Sequence, residues 1–160
     1  MVKELDERAE ALPDHIGWRL WRASRSWQAE FADAMRAAGH GWFSEARAGL
    51  LGHIPRNGTR QSALIERAAI SKQAVQQLLD GLEAEGVLER LPNPRDGRGK
   101  LVRYTRKGLD ALRDGDRIKL QIERSYIDRI GRQRFSAMMD ALRALDAGQG
   151  DASEQAPEST

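Results

Sequence analysis

Cysteine is missing altogether from this chain of 160 residues, which excludes disulfides, thiolate metal sites and cysteine redox switches. Histidine is scarce: His15, His40 and His53 are scattered, with no H-x-x-x-H or similar spacing, so the sequence predicts no metal centre. No apolar run approaches the roughly 20 residues of a membrane span. The opening "MVKELDERAEALP" is charged throughout and lacks an apolar signal core. The expectation is a cytoplasmic protein with no membrane partner. Catalytic signatures are lacking as well. There is no G-x-S-x-G and no Gly-rich phosphate loop, and "GRGK" at 97–100 is too short and wrongly placed for a P-loop. The carboxylates mostly sit beside Arg or Lys. The sequence predicts neither an enzyme nor a bound cofactor.

What is present is the composition of one globular domain, 40% hydrophobic and 31% charged, long enough to bury a core without covalent staples. The net charge of +2 conceals a segregation. After Ala147 the tail "GQGDASEQAPEST" has three acids and no base, and its Gly, Ser, Gln and Pro content predicts disorder over 147–160. Between Arg90 and Lys107, by contrast, seven basic residues stand against the single acid Asp96.

Apolar periodicity predicts mostly α structure. Ile16, Leu20, Trp27, Phe31 and Met35 mark a long helix after Pro13, and residues 3–12 could add a short one before it. "SEARAGLLGHI" (44–54) predicts a second helix, capped by Ser44 and stopped at Pro55. "TRQSALIERAA" (59–69) predicts a third, capped by Thr59 or Ser62, with Leu64, Ile65 and Ala68 inward. In the fourth, from about Ser71 to Glu85, Val75, Leu78, Leu79 and Leu82 share one arc, leaving Lys72, Gln73, Gln76, Gln77 and Asp80 on the free face. Gly86 follows as a helix terminator. "VLERL" (87–91) and "KLVRYT" (100–105) then read as two strands around the turn-rich "PNPRDGRG". A helix from Thr105 or Arg106, broken at Gly131, and a last one carrying Phe135, Met138, Met139, Leu142 and Leu145 complete the order.

A helix, a tight turn at "AIS", a second helix with a polar outer face and a basic hairpin form the layout of a winged helix-turn-helix. In that layout the fourth helix reads base edges in the major groove of double-stranded DNA through Ser71, Lys72, Gln73, Gln76 and Gln77. Glutamine suits the task because its amide both donates and accepts. At the hairpin, Arg98 between Gly97 and Gly99 can approach a minor groove closely, with Asp96 near enough to orient it. Arg90, Arg95, Lys100 and Arg103, with Arg60 and Gln61 at the third helix, would meet phosphates. Two other readings share parts of this pattern. A protein-interaction module would need an apolar face on the fourth helix, and a nonspecific architectural DNA binder would need no glutamine-bearing one.

The stretch "RQSALIERAAISKQAVQQLLDGLEAEGVLERLPNPRDGRGKLVRYTRKGLDAL" (60–112) resembles the DNA-binding core of the MarR family of bacterial transcription regulators. The likeness lies in the helix-turn-helix register, the "LEAEGVLER" exit, the D-x-R of Asp96 and Arg98, and the T-x-x-G of Thr105 to Gly108. As helix order alone it extends over about residues 14–146. One departure is "ERAAIS", where a Gly is common in the turn. Another is the missing cysteine, which rules out the family's oxidation-sensing mechanism. The resemblance implies a homodimeric repressor or activator that reads a pseudo-palindromic operator, with helix 71–85 in the major groove and the wing 91–103 at the minor groove. It divides a single domain, 1–146, into a core of about 44–105 and dimerisation helices of about 14–38 and 106–146. Two-fold pairing of the terminal helices would set half-sites about one helical turn apart. Many relatives release DNA on binding a small aromatic or phenolic ligand. His15, Trp18, Trp21 and His53 are the candidate pocket here, although aromatic stripes ordinarily mean core or interface packing.

Overall fold

A computed structural model describes residues 14–94 and 99–150, the side chains of 148–150 excepted. The element order is α1 (Ile16–Ala37), α2 (Glu45–Leu51), β1 (Thr59–Arg60), α3 (Gln61–Arg67), α4 (Lys72–Ala84), β2 (Leu88–Pro92), β3 (Lys100–Tyr104), α5 (Arg106–Ile130) and α6 (Arg132–Gly150). The mostly helical architecture with a small antiparallel wing is the one the sequence predicts. The possible helix at 3–12 lies outside the described residues.

Most boundaries follow from local capping chemistry. Ser44 Oγ accepts from Arg47 N at 3.3 Å at the start of α2, Ser71 Oγ from Ala74 N at 3.1 Å at the start of α4, and Thr105 Oγ1 from Gly108 N at 3.1 Å at the start of α5. Each removes one of the unpaired N–H groups of a helix's first turn. Gly86 and Gly131, at φ +68° and +85°, take the left-handed backbone that ends α4 and α5.

Three expectations need correcting. Thr59 is not a helix cap. Thr59 and Arg60 form a third strand, pairing with Val102 and Leu101, so the sheet order is β1-β3-β2 rather than a bare hairpin. The Thr59 hydroxyl instead accepts from Arg67 Nη2 at 2.8 Å, and α3 starts at Gln61 with no side-chain cap. Secondly, α2 stops at Leu51, with Gly52 at its end, before Pro55 can intervene. Thirdly, the tail does not begin at 147: α6 continues through Gly150. Residues 151–160 lie outside the described part.

The core forms where α2, α3, α4 and the sheet meet α1 and α5. Leu64, Val75, Leu79, Leu82, Val87, Leu88 and Val102 are almost completely buried. Tyr104 closes this core from below, its hydroxyl donating to the carbonyls of Leu51 (3.0 Å) and Ile54 (3.4 Å). Desolvation pushes that phenol up to about 12 from its ordinary value of 10.0. The T-x-x-G motif also finds its cause here. Thr105 Oγ1 donates to the Gly86 carbonyl at 2.6 Å, and a Cβ on Gly108 would lie 2.2 Å from the Val87 carbonyl oxygen. Only glycine lets α5 sit this close to the exit of α4.

Candidate nucleic-acid interface

Three elements assemble the surface the sequence points to. The buried side of α4 is fixed by Val75, Leu79 and Leu82. A helix held on one face presents the opposite face in a set direction, and here that face carries Lys72, Gln73 and Gln77, all exposed, with Gln76 half-buried. Ser71 is exposed at its N-cap. Arg60 is exposed at the end of β1, and Gln61 is half-buried at the start of α3. On β3, Lys100 and Arg103 are exposed, and Arg103 Nε donates to Glu89 Oε1 at 2.6 Å from its partner position on β2. Arg95, Asp96 and Arg98, at the hairpin tip, lie outside the described residues.

Arg90 behaves differently from its expected role as a phosphate contact. Its side chain is only 11% exposed. Its guanidinium meets carboxylates of α4 through two of its three nitrogens: Nη2 donates to Asp80 Oδ1 at 2.6 Å, Nε to Glu83 Oε2 at 3.0 Å, and Nη2 also to Glu83, while Nη1 is buried with no partner among the described residues. The Arg90 amide adds a bond to Glu83 Oε1 at 3.2 Å. The hydrogen bonds from Arg90 hold the Glu83 carboxyl below the usual carboxylate range. Arg90 therefore rivets the wing to α4 instead of reaching solvent. Counting basic residues along the sequence could not have separated it from its neighbours, since the acids that claim it sit 7 and 10 positions earlier. An i, i+3 acid pair at the end of a helix, followed by arginine in the next strand, was the available signal.

The chain also contains an apolar cavity of about 380 Å³ between α1, α2, α5 and the base of the wing. Trp27, Phe31, Trp42, Phe43, Tyr104 and Leu112 contribute to its wall, with Gln28, Glu45 and Lys119 as polar members. The four residues expected to form a pocket are not brought together there. His15 caps α1 by accepting from Trp18 N at 3.3 Å, Trp18 and Trp21 stack on each other in the open (centroids 4.9 Å apart), and His53 is exposed near α3. The tryptophans that do line the cavity, Trp27 and Trp42, sit on α1 one turn before the buried Phe31 and in the loop after that helix. Trp42 Nε1 is buried with no hydrogen-bond partner among the described residues. His40, beside it, is buried and meets Asp114 Oδ2 through Nε2 at 3.0 Å. The Asp114 carboxyl is held low first by Arg117 and then by His40.

This geometry defines a winged helix-turn-helix: α3, turn, α4, and a wing of β2 and β3 hydrogen-bonded to a strand that precedes α3. The family model described as MarR family matches residues 43–99, so the likeness seen in the sequence is borne out over the segment from the start of α2 to the wing. No curated protein sequence matches the chain significantly. Solved structures match nearly end to end. A probable transcriptional regulator from Pseudomonas aeruginosa is 24% identical, covers 84% of this chain and 99% of its own, and superposes with a TM-score of 0.64. Wild-type MarR from E. coli in its apo form is 16% identical over 83% of this chain and 98% of its own, with a TM-score of 0.68. The PcaV transcriptional regulator from Streptomyces coelicolor, in complex with its natural ligand, is 20% identical over 90% and 99%, with a TM-score of 0.60. At these identities the likeness is one of fold. The matched family and these structures are transcriptional regulators rather than enzymes. Among the described residues no helix is long and apolar enough to cross a membrane, and no cluster of three or more His, Cys, Asp or Glu could hold a metal.

Proposed function

We propose that the chain is a homodimeric, sequence-specific regulator of transcription, a repressor acting in the cytoplasm on double-stranded DNA. The observation that carries this reading is the outer face of α4. With one side locked in the core, its exposed side is a row of Lys72, Gln73 and Gln77 beside half-buried Gln76, flanked by Lys100 and Arg103 of the wing. Amides there can read base edges, and the cations can neutralise phosphates. An interaction module would show an apolar patch at this place, and α4 offers none. Residues 44–105 form the DNA-binding core in this reading, and the helices at 14–38 and 106–146 pair the two subunits.

Pairing is supported by large apolar side chains left exposed among the described residues. Ile16, Trp18, Leu20 and Trp21 are exposed along the first half of α1, and Met138 and Leu145 along α6. Release by a small aromatic ligand is supported by the cavity, whose size falls within the usual range for such sites and whose wall is mostly apolar and aromatic. The PcaV structure, which holds its natural ligand, points the same way.

Selection from a random duplex library at physiological salt tests the reading. Enrichment of a pseudo-palindrome with half-site centres about one turn, roughly 34–36 Å, apart is the expected result. Affinity should also fall steeply with salt, because several phosphates are neutralised per dimer. Salt-dependent binding with no enriched sequence would make it a nonspecific DNA binder. Absence of binding, with and without small aromatic acids, would remove DNA as the partner.

A further inference from the structure

Four side chains from three elements form one continuous hydrogen-bonded chain along the outer side of α4. Arg90 Nη2, on β2, donates to Asp80 Oδ1 at 2.6 Å. Gln76 Nε2 donates to the same oxygen at 3.0 Å. Gln61 Nε2, at the start of α3, donates to Gln76 Oε1 at 3.0 Å. The direction of this chain is chemically determined. At neutral pH a carboxylate only accepts, so the Gln76 atom beside Asp80 must be its nitrogen. The Gln76 oxygen then faces α3, and Gln61 has to turn its own nitrogen toward it. The consequence shows at the far end: Gln61 Oε1 is buried with no partner among the described residues. Among the described residues no donor meets that oxygen, so the orientation is dictated from the Asp80 end.

An amide carries two N–H donors and two acceptor lone pairs. Gln76 uses one of each inside the protein, and one of each remains for a base edge, in a fixed order: donor on the Asp80 side, acceptor on the α3 side. A free glutamine exchanges its nitrogen and oxygen by a half-turn of its terminal torsion and can meet either order. Adenine presents an N7 acceptor and an N6 donor side by side, so a glutamine of fixed polarity pairs with it in one orientation and sets donor against donor in the other.

We propose that Asp80, clamped by Arg90, is a positioning residue that fixes the polarity of the Gln76 amide and so selects the base edge read at one position of each half-site. This rests on α4 being the groove-reading helix, as proposed above. Two residues that never reach a base, one of them an acid on the DNA-facing side, thereby acquire a part in specificity. The acid is otherwise electrostatically out of place beside phosphates.

The test is library selection with the full chain as wild type, Gln76→Ala, Asp80→Asn and Gln61→Leu in parallel, each checked for folding by thermal unfolding. Asp80 is more than half exposed and Arg90 keeps Glu83, so Asp80→Asn should fold; Asp80→Ser, which also removes the obligatory acceptor, is the second variant. Asparagine can donate as well as accept, so in Asp80→Asn the Gln76 amide is free to turn over. The position that Gln76→Ala affects should then fall from a preference on the order of 5- to 150-fold for one base to about twofold. Other positions should be retained, and nonspecific affinity should be equal or higher. Gln61→Leu, which removes a candidate phosphate contact, should lower affinity alike for all sequences and leave the preference intact, because polarity is set from the other end. Asp80→Asn and Asp80→Ser keeping the wild-type preference at the position that Gln76→Ala erases would overturn the proposal. So would a loss of preference in Gln61→Leu alone, which would move control to α3. If Gln76→Ala alters no position, the base-reading role of Gln76 itself fails, and the proposal falls with it.

Discussion

The two halves of the molecule spend their apolar residues in opposite ways. In the winged segment nearly every large apolar side chain is used within the chain: Leu64, Val75, Leu79, Leu82 and Val102 are at most 1% exposed. In the terminal helices the same kind of pattern is left open. Along α1 burial begins only at Phe31, while Ile16 and Trp21, a few turns earlier, are 69% and 54% exposed. On α6 Leu145 is 60% exposed, and none of its described side chains is buried. One half is a finished hydrophobic core, and the other leaves large apolar side chains uncovered among the described residues. An amphipathic stripe in a sequence says that a face wants covering, without saying whether the cover comes from the same chain.

Substitutions can break that comparison, and the largest effect belongs to the finished half. Leu79→Ala removes a side chain 1% exposed and should cost about 2–5 kcal/mol, as buried leucine truncations do, with the unfolding midpoint falling in chemical denaturation. A loss below about 1 kcal/mol would mean that the α4 packing is looser than described. The open half should respond through association instead. Trp21→Asp puts a charge on an exposed stacked indole. It should weaken self-association by at least about tenfold, close to 1.4 kcal/mol, in sedimentation at graded concentration, with the unfolding of the isolated subunit nearly unchanged. Equal dimerisation in wild type and variant would take α1 out of the interface.

Much of the fold was legible in the sequence, for reasons visible at particular residues. The start of α5 at Arg106, the end of α4 before Gly86 and the break at Gly131 were all read where they occur, because caps and glycines act within a few positions of themselves. Strand β1 was not legible. Thr59 and Arg60 are only two residues long, and they are strand because Val102 and Leu101 lie beside them, a contact some forty positions away. The site divides in the same manner. Lys72, Gln73 and Gln77 were legible as the free face of a helix with a clear apolar stripe. That Arg90 is withdrawn from solvent, and that Gln76 is tied to Gln61 and Asp80, follows only from how β2 and α3 close against α4. The cavity was misplaced for a related cause. Clustering of tryptophans along the chain favoured Trp18 and Trp21, whereas the fold uses Trp27, farther along α1, and Trp42, in the loop after it.

A smaller effect sharpens the link between the core and the wing. Tyr104→Phe removes the hydroxyl that donates to the Leu51 and Ile54 carbonyls and should cost about 1 kcal/mol. The same phenol gives a pH signature. Its pKa is raised on folding, so its contribution is complete below the unfolded value of 10.0 and is lost as pH rises toward about 12. Spectrophotometric titration should therefore show a tyrosine that ionises only near 12, with alkaline unfolding in the same window, and that late step should be missing from Tyr104→Phe. At the acid end the sign reverses. The Glu83 carboxyl is depressed by Arg90, so its contribution is present above the ordinary carboxylate value and disappears as pH falls below it. Loss of the Arg90 clamp should thus appear in acid and leave the alkaline step untouched.

The smallest effect concerns the turn between α3 and α4. Ala69 has φ 51° and is the one non-glycine with a positive φ among the described residues. It occupies the "AAIS" turn, where the sequence departs from the glycine that the family resemblance implies. An L-residue with a Cβ in the left-handed region is strained by about 1–2 kcal/mol. Glycine relieves that strain but gives back about 0.4–1 kcal/mol by loosening the unfolded chain. Ala69→Gly should therefore stabilise the finished half by a few tenths of a kcal/mol to about 1 kcal/mol, read as a rise in the chemical-denaturation midpoint at unchanged slope. Destabilisation would show that the turn draws more from the stiffness of alanine than it loses to strain. In that case the rigidity of this turn, and with it the angle at which α4 is presented, would be what the departure from glycine maintains.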